Sequence, residues 1–494
     1  MATILQIAIP VIVSFIAVNW VYFKVLRIAK EKQIFDNPNA RKLQKTPVPI
    51  LGGIAVFFGV LSGILASVAS NEVLGIPATT TLLPMFCAMS LMIYTGAMDD
   101  MMGLSPGSRF LLEIFTVLCV VFASGRCVDS FHGLWGIETF NWWIAVPLTV
   151  VAGVGIINAI NMIDGVNGLS SGLCILCNVV FGLAFYHSGD ITNALLAFVV
   201  ASALLPFFLH NVFGNKSRMF IGDAGTMVMG ALMTWFVISL LSKDSMMEPE
   251  RNGKTLNMVA LALAILSVPV FDTVRVMMQR ILQGKSPFHP DKTHLHHVFV
   301  RMGVSHLITA FTEILIDFLL IVAWVVMVEC NVTMEWQLYL LIIFAIVLVW
   351  GLYFFMHWHE EHHTDFMHFL AQMGTKTHHN DKSWWKRFES WLDKPESKEM
   401  KEEYEPENQT AAYVEYYHFD NIDPENLKEV DRKRIYDFMK GKAEVYIDDI
   451  KKRSGADPLR VDALVYEGVL DGFIVTIKEG VWGMPMIVVL ADEK

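Results

Sequence analysis

Apolar runs of about 20 residues, each long enough to cross ~30 Å of hydrocarbon as a helix, recur from Ile4 to Tyr353 with short polar stretches between them. The pattern predicts spans near 3–25, 50–70, 80–98, 109–125, 142–158, 168–187, 191–210, 223–242, 256–278, 305–329 and 335–356. An odd count places the two termini on opposite sides of the membrane. After Tyr353 the pattern changes: His357, His359, His362, His363, His368, His378 and His379 crowd the exit of the last run, and 394–409 is a charged linker. Beyond the linker, periodicity predicts a helix over 423–438, a shorter one over 453–467, and two strands over 472–477 and 484–490. The predicted fold class is an all-α polytopic membrane protein of about eleven transmembrane helices, with a small C-terminal cytoplasmic α+β domain. Its predicted parts are a membrane domain over 1–356, a His-rich juxtamembrane segment and linker over 357–409, and the α+β domain over 410–494.

Composition excludes a soluble globular class, because 54% of the 494 residues are hydrophobic and only 18% charged. The formal charge of -11 comes largely from the polar tail and identifies no partner. The first apolar run lacks a basic flank before it and a small-residue cleavage site after it, so it reads as a retained span. Lys30, Lys32, Arg41, Lys42 and Lys45 follow the first span, and Arg280, Lys285, Lys292 and Arg301 the ninth, whereas loops 71–79, 188–190 and 330–334 carry no Lys or Arg. The basic loops are therefore expected to be cytoplasmic and the N-terminus outside, with Arg126 and loop 243–255 as exceptions. The six cysteines sit mostly within or at the ends of spans and read as small packing residues.

The loops after odd-numbered spans hold nearly all the polar clusters. Loop 36–53 combines Arg41, Lys42 and Lys45 with helix-stopping prolines and the pair Gly52-Gly53, which reads as a flexible joint. It suits either anchoring beside anionic headgroups or capture of phosphate. Asp99-Asp100 closes the third apolar run; adjacent carboxylates at the mouth of a span repel and lose hydration unless a divalent cation or a cationic group offsets them. Asn158, Asn161 and Asp164, three apart, would form one stripe of a helix before the glycines that break it. Asp223, between Gly222 and Gly225, either caps the next helix or holds a hard cation against diphosphate oxygens. The last loop carries His289, Asp291, Lys292, His294, His296 and His297, which suit sugar hydroxyls and phosphates better than a structural zinc site. Just upstream, Asp272 and Arg275 either pair with each other or point Arg275 at an anionic ligand.

As an ordered set over 36–297, these clusters resemble the polyprenyl-phosphate N-acetylhexosamine-1-phosphate transferase superfamily. Asp99-Asp100 is similar to its paired aspartates, Asn158-x-x-Asn161-x-x-Asp164-Gly165 to its asparagine–aspartate motif, Gly222-Asp223-Ala224-Gly225-Thr226 to its Gly-Asp-x-Gly-Ser element, and His294-Leu295-His296-His297 to its histidine loop. The histidine loop resembles the undecaprenyl-phosphate N-acetylglucosamine-1-phosphate transferase branch more than the branch using UDP-MurNAc-pentapeptide. Gln44, Thr226 and Asn167 stand where His, Ser and Asp are usual. The resemblance implies transfer of a sugar 1-phosphate, foremost N-acetylglucosamine 1-phosphate, from a UDP-sugar to undecaprenyl phosphate with release of UMP. It further implies the initiating step of a lipid-linked surface glycan such as lipopolysaccharide or capsule, a bacterial cytoplasmic membrane, and a magnesium requirement with manganese as the alternative ion. A homodimer is compatible with it, and no nucleic-acid partner is expected.

Charge arithmetic gives the expected roles. A phosphate monoester attacking a diphosphate brings like charges together, so a cation must sit between them, and Asp223 is the expected metal ligand. Asp99 or Asp100 would act catalytically by taking the remaining proton of the lipid phosphate, although a second pKa near ~6 leaves that group largely ionised at pH 7. A covalent aspartyl-phosphate route competes. Substrate binding is expected at Asn158, Asn161, Asp164, Arg41, Lys42, Lys45, Arg275, His294, His296 and His297. The alternative function is a secondary transporter of an anionic substrate, whose ion-carrying groups would lie near the membrane midplane.

Overall fold

The computed structural model describes residues 2–36, 47–70, 78–287, 292–362, 366, 370 and 383–393, and beyond them 433–435, 437–440, 445–446, 450, 454, 461, 464–465, 474–479 and 485–490. The chain divides into two compact units, Met1–Glu396 and Ser397–Lys494.

The first unit is helical. In order it comprises α1 (Ala2–Glu31), the short antiparallel pair β1 (Phe35–Asp36) and β2 (Val48–Pro49), α2 (Gly52–Ser70), α3 (Ala78–Met102), α4 (Pro106–Ser124), α5 (Trp142–Met162), α6 (Leu169–Ser188), α7 (Ile191–Phe213) and α8 (Gly222–Leu241). A hairpin of β3 (Glu250–Arg251) and β4 (Lys254–Thr255) precedes α9 (Met258–Ile265), α10 (Ser267–Leu282), α11 (Leu295–Arg301) and α12 (His306–Glu329). The last span runs from α13 (Met334–Ala345) through a π-helical turn, Ile346–Gly351, into α14 (Leu352–Glu361), and α15 (Ser383–Leu392) follows. Among the described residues ten helices are long and apolar enough to cross a membrane, or eleven if the bent pair α9–α10 counts as one span. Many large apolar side chains, including Ile12, Trp20, Leu65 and Phe122, face outward, as a bilayer-facing surface requires.

The ninth predicted span is broken: α9 and α10 meet at 80°. Such a break exposes backbone N–H groups that lipid cannot satisfy. Asp317 of α12 meets this need, since its Oδ1 accepts from Ser267 Oγ at 2.7 Å and from Val268 N at 3.1 Å, and Pro269 has no N–H to satisfy.

α8 lies at the centre, with its apolar stretch buried throughout. Its neighbours approach backbone to backbone through glycine: a Cβ on Gly53 would come within 2.3 Å of Gly225 N, and one on Gly96 within 2.4 Å of Ala224 N. Gly52-Gly53 is thus a close-packing pair at the start of α2 and not a flexible joint. Gly52 N and Gly53 N donate to Phe220 O and Ile221 O at 2.9 and 2.8 Å, tying the first loop to the start of α8. The six cysteines form no disulfides.

In the second unit, β5 (Val445–Tyr446), β6 (Ile474–Glu479) and β7 (Pro485–Leu490) form an antiparallel sheet in the order β5-β7-β6. Ile435, Met439, Ile450, Val461, Leu464 and Val465 form its apolar cluster. Both predicted strands are present.

Candidate active site

A cavity of about 390 Å³ opens where the ends of the helices and their polar loops meet. Its lining includes Asp36, Ile50, Asp99, Asp100, Asn161, Asp164, Asn167, Asp223, His296 and His297, so five loops far apart in sequence build one site.

The two carboxylates of the Asp-Asp pair have different work. Asp100 reaches across from α3 to cap α8: its Oδ1 accepts from Asp223 N at 2.9 Å and its Oδ2 from Ala224 N at 3.1 Å. The cap that sequence offered to Asp223 is therefore supplied by another helix. Asp223, in the first turn of α8, is left with a side chain 34% exposed to the cavity. Its Oδ1 accepts from Asn161 Nδ2 at 2.5 Å, and the same amide nitrogen lies 2.7 Å from Thr226 Oγ1. Asp99 accepts from Leu104 N at 2.7 Å and from Arg109 Nη1 at 3.1 Å.

The expected stripe of Asn158, Asn161 and Asp164 does not form, because α5 ends at Met162 and Asp164 lies in the following turn. Asn158 turns away from the cavity and donates to Glu113 Oε2 and, at 2.9 Å, to Val154 O. Asp164 lines the cavity and accepts from Ser170 Oγ at 2.5 Å. Desolvation by the cavity walls pushes its carboxyl up to about 6, against the Ser170 hydrogen bond and with a further upward push from the Asp223 charge.

The histidine loop is held from behind. Asp272 Oδ2 pairs with His294 Nδ1 at 2.7 Å, and Leu295 N donates to the same carboxylate at 3.3 Å. Arg275 does not line the cavity: Nε and Nη2 donate to Asp272 Oδ1 at 3.1 and 2.6 Å, Nη1 to Gln279 Oε1 at 2.7 Å, and Nη2 to Thr293 O at 2.6 Å. Its guanidinium also lies 3.5 Å from the Tyr353 ring centroid. Of the two arrangements open to Asp272 and Arg275, the structure has the mutual pair.

His296 and His297 remain for the cavity. Both His296 ring nitrogens are buried without a hydrogen-bond partner among the described residues, and a Cβ on Gly165 would lie 2.5 Å from Nε2, so only glycine fits there. Burial, then the neighbouring histidines, hold His296 well below the ordinary imidazole range, and burial holds His297 at about 4. Both rings are neutral at pH 7, each with one donor and one acceptor. Arg41, Lys42, Lys45, Gln44, His289 and Asp291 lie outside the described residues, although Asp36 and Ile50, on either side of the basic segment, line the cavity.

Sequence reasoning missed Arg109, Glu113, Asn211 and His306. Asn211 Oδ1 accepts from Gly168 N at 2.7 Å and its Nδ2 donates to Met219 O at 2.9 Å, fastening the third loop to the fourth. His306 Nδ1 accepts from Asn167 N at 3.4 Å. The signal for Arg109 and Glu113 was an i, i+4 pair of opposite charges within an apolar helix.

The sequence profile of glycosyl transferase family 4 matches residues 82–241, which hold most of this cavity. Over 346 residues the chain is 31% identical to a probable undecaprenyl-phosphate N-acetylglucosaminyl 1-phosphate transferase of Bacillus subtilis, covering 70% of this chain and 91% of that protein. The chain belongs to glycosyl transferase family 4. Other similar members are undecaprenyl-phosphate alpha-N-acetylglucosaminyl 1-phosphate transferases of Yersinia pestis, 30% identical over 57% of this chain and 74% of that one, and of Escherichia coli O157:H7, 27% identical over 70% and 90%. The family relationship gives no support to a secondary transporter.

Proposed function

We propose that this protein transfers N-acetylglucosamine 1-phosphate from UDP-N-acetylglucosamine to undecaprenyl phosphate and releases UMP. The observation that carries the reading is the convergence of five loops on one cavity lined by aspartates on one side and by neutral histidines on the other, in a chain that spans 91% of a relative named for that transfer. The polar groups gather at helix ends and not at mid-span, where a lipid phosphate and a water-soluble nucleotide sugar can meet.

The donor set fits magnesium. Asp99, Asp164, Asn161 and Asp223 offer hard oxygens to one cavity, and no three His, Cys, Asp or Glu side chains among the described residues form a ready-made ligand group. That arrangement suits an ion that takes one or two carboxylates and completes its shell with phosphate and water. Asp223 would hold it, and when bound it draws charge from the leaving UMP oxygens. Asp100 acts as a positioning residue by fixing the first turn of α8, and Asn161 orients the Asp223 carboxylate. Asp99, which lines the cavity, accepts the remaining proton of the lipid phosphate in this reading. His296 and His297 face the sugar with hydrogen-bonding edges, while Arg41, Lys42 and Lys45 supply positive charge for phosphate. The basic loops support a cytoplasmic side for this face, with the N-terminus outside.

The test is UMP release by purified protein supplied with undecaprenyl phosphate, magnesium and a panel of UDP-sugars. UDP-N-acetylglucosamine is expected to turn over fastest. Absence of UMP with every donor would contradict the reading.

A further inference from the structure

Arg109 sits in the first turns of α4 with its two ends in different surroundings. Nε donates to Glu113 Oε1 at 3.2 Å. The Glu113 side chain is fully buried, and its other oxygen is held by Asn158 Nδ2, which fixes that end of the guanidinium away from the cavity. Nη1 points the other way. It lies 3.1 Å from Asp99 Oδ2 and 3.9 Å from Asp223 Oδ1, bridging two cavity carboxylates that would otherwise face each other uncompensated.

We propose that Arg109 is the counter-ion of Asp99 and Asp223 and that it competes with the divalent cation for them. This rests on the reading of Asp223 as a metal ligand. A cation held by Asp223 would meet the guanidinium charge, whose Nη1 lies 3.9 Å from Oδ1, and the two like charges repel there. Because Nε stays on Glu113, the displaced Nη end swings without leaving the site. It then presents two N–H groups to the cavity, where forked donors suit diphosphate oxygens. Loading the metal and arming the guanidinium for the nucleotide become one exchange.

The test is manganese binding to the purified protein in detergent without nucleotide, read as loss of the free-ion electron paramagnetic resonance signal. Arg109→Gln removes the competitor, and its manganese affinity should rise about tenfold over wild type. Arg109→Lys keeps a charge but cannot hold Glu113 and Asp99 at once, so its affinity should rise by a smaller factor; this variant carries the test if the first does not fold. An affinity equal to or below wild type in the folded variants would overturn the proposal and make Arg109 an organiser of the carboxylates, leaving the metal reading intact. Manganese bound by neither wild type nor variant would overturn the metal reading and this exchange together.

Discussion

Among the described residues, Asp272–Arg275 and Asp99–Arg109 are aspartate–arginine pairs whose surroundings give them opposite work. Asp272 and Arg275 are 2% and 1% exposed, 2.6 Å apart, and are further engaged by His294, Leu295 N, Gln279, Thr293 O and Tyr353. Asp99 and Arg109 are 12% and 18% exposed, 3.1 Å apart, and share their space with a cavity and a third charge, Asp223. The same chemical pair is scaffolding where its hydrogen-bonding capacity is used up, and exchangeable where a ligand can compete for it.

The largest effect that would break this comparison falls on the sealed pair. Asp272→Ala strands a buried guanidinium and releases the histidine loop, so it should destabilise the protein by about 3–5 kcal/mol, measured as thermal unfolding in detergent. A stable, active variant would remove the scaffold role. At the open site, Asp223→Asn should lower turnover about 1000-fold while leaving the melting temperature close to wild type, because the lost interaction belongs to the reaction and not to the fold. Equal losses of stability at both sites would erase the distinction.

A smaller effect concerns the sugar. His296→Ala should narrow the preference for UDP-N-acetylglucosamine over UDP-N-acetylgalactosamine, by up to roughly 1–3 kcal/mol in the ratio of kcat/KM, since a buried polar group left unpaired is what penalises the wrong donor. A uniform loss toward both donors would mean that the ring holds phosphate. The smallest effect is a pH dependence at Asp164. Its folded-state pKa of about 6 lies above the ordinary 3.8, so the fold favours the protonated acid. The stabilising contribution is full below the ordinary value and is lost as pH rises through about 6. Asp164→Asn should therefore unfold at a higher temperature than wild type at pH 8, with the difference closing toward pH 4; a gap that widens in acid would contradict this.

The open cavity was more legible in the sequence than the sealed pair. Its residues are polar groups at the ends of apolar runs, a local signal, and the alternation of loops predicted that they would share one face. Asp99, Asp100, Asn161, Asp164, Asp223, His296 and His297 meet there. What sequence left undecided depends on contacts between distant helices. Nothing local says that Asp100 caps α8, that Asn158 serves Glu113, or that Asp317 of α12 satisfies the break between α9 and α10. The bend of the ninth span had only the weak local signal of Ser267 and Pro269 within an otherwise apolar run.

The measurement that reaches the central claim most directly follows the phosphorus. UDP-N-acetylglucosamine labelled at the phosphate next to the sugar is incubated with the protein, undecaprenyl phosphate and magnesium, and the lipid and aqueous phases are separated. Transfer of sugar 1-phosphate at this cavity predicts that the label enters the lipid, that label on the other phosphate leaves in UMP, and that Asp223→Asn abolishes both. Sugar arriving on the lipid while the label stays behind in UDP would contradict the account.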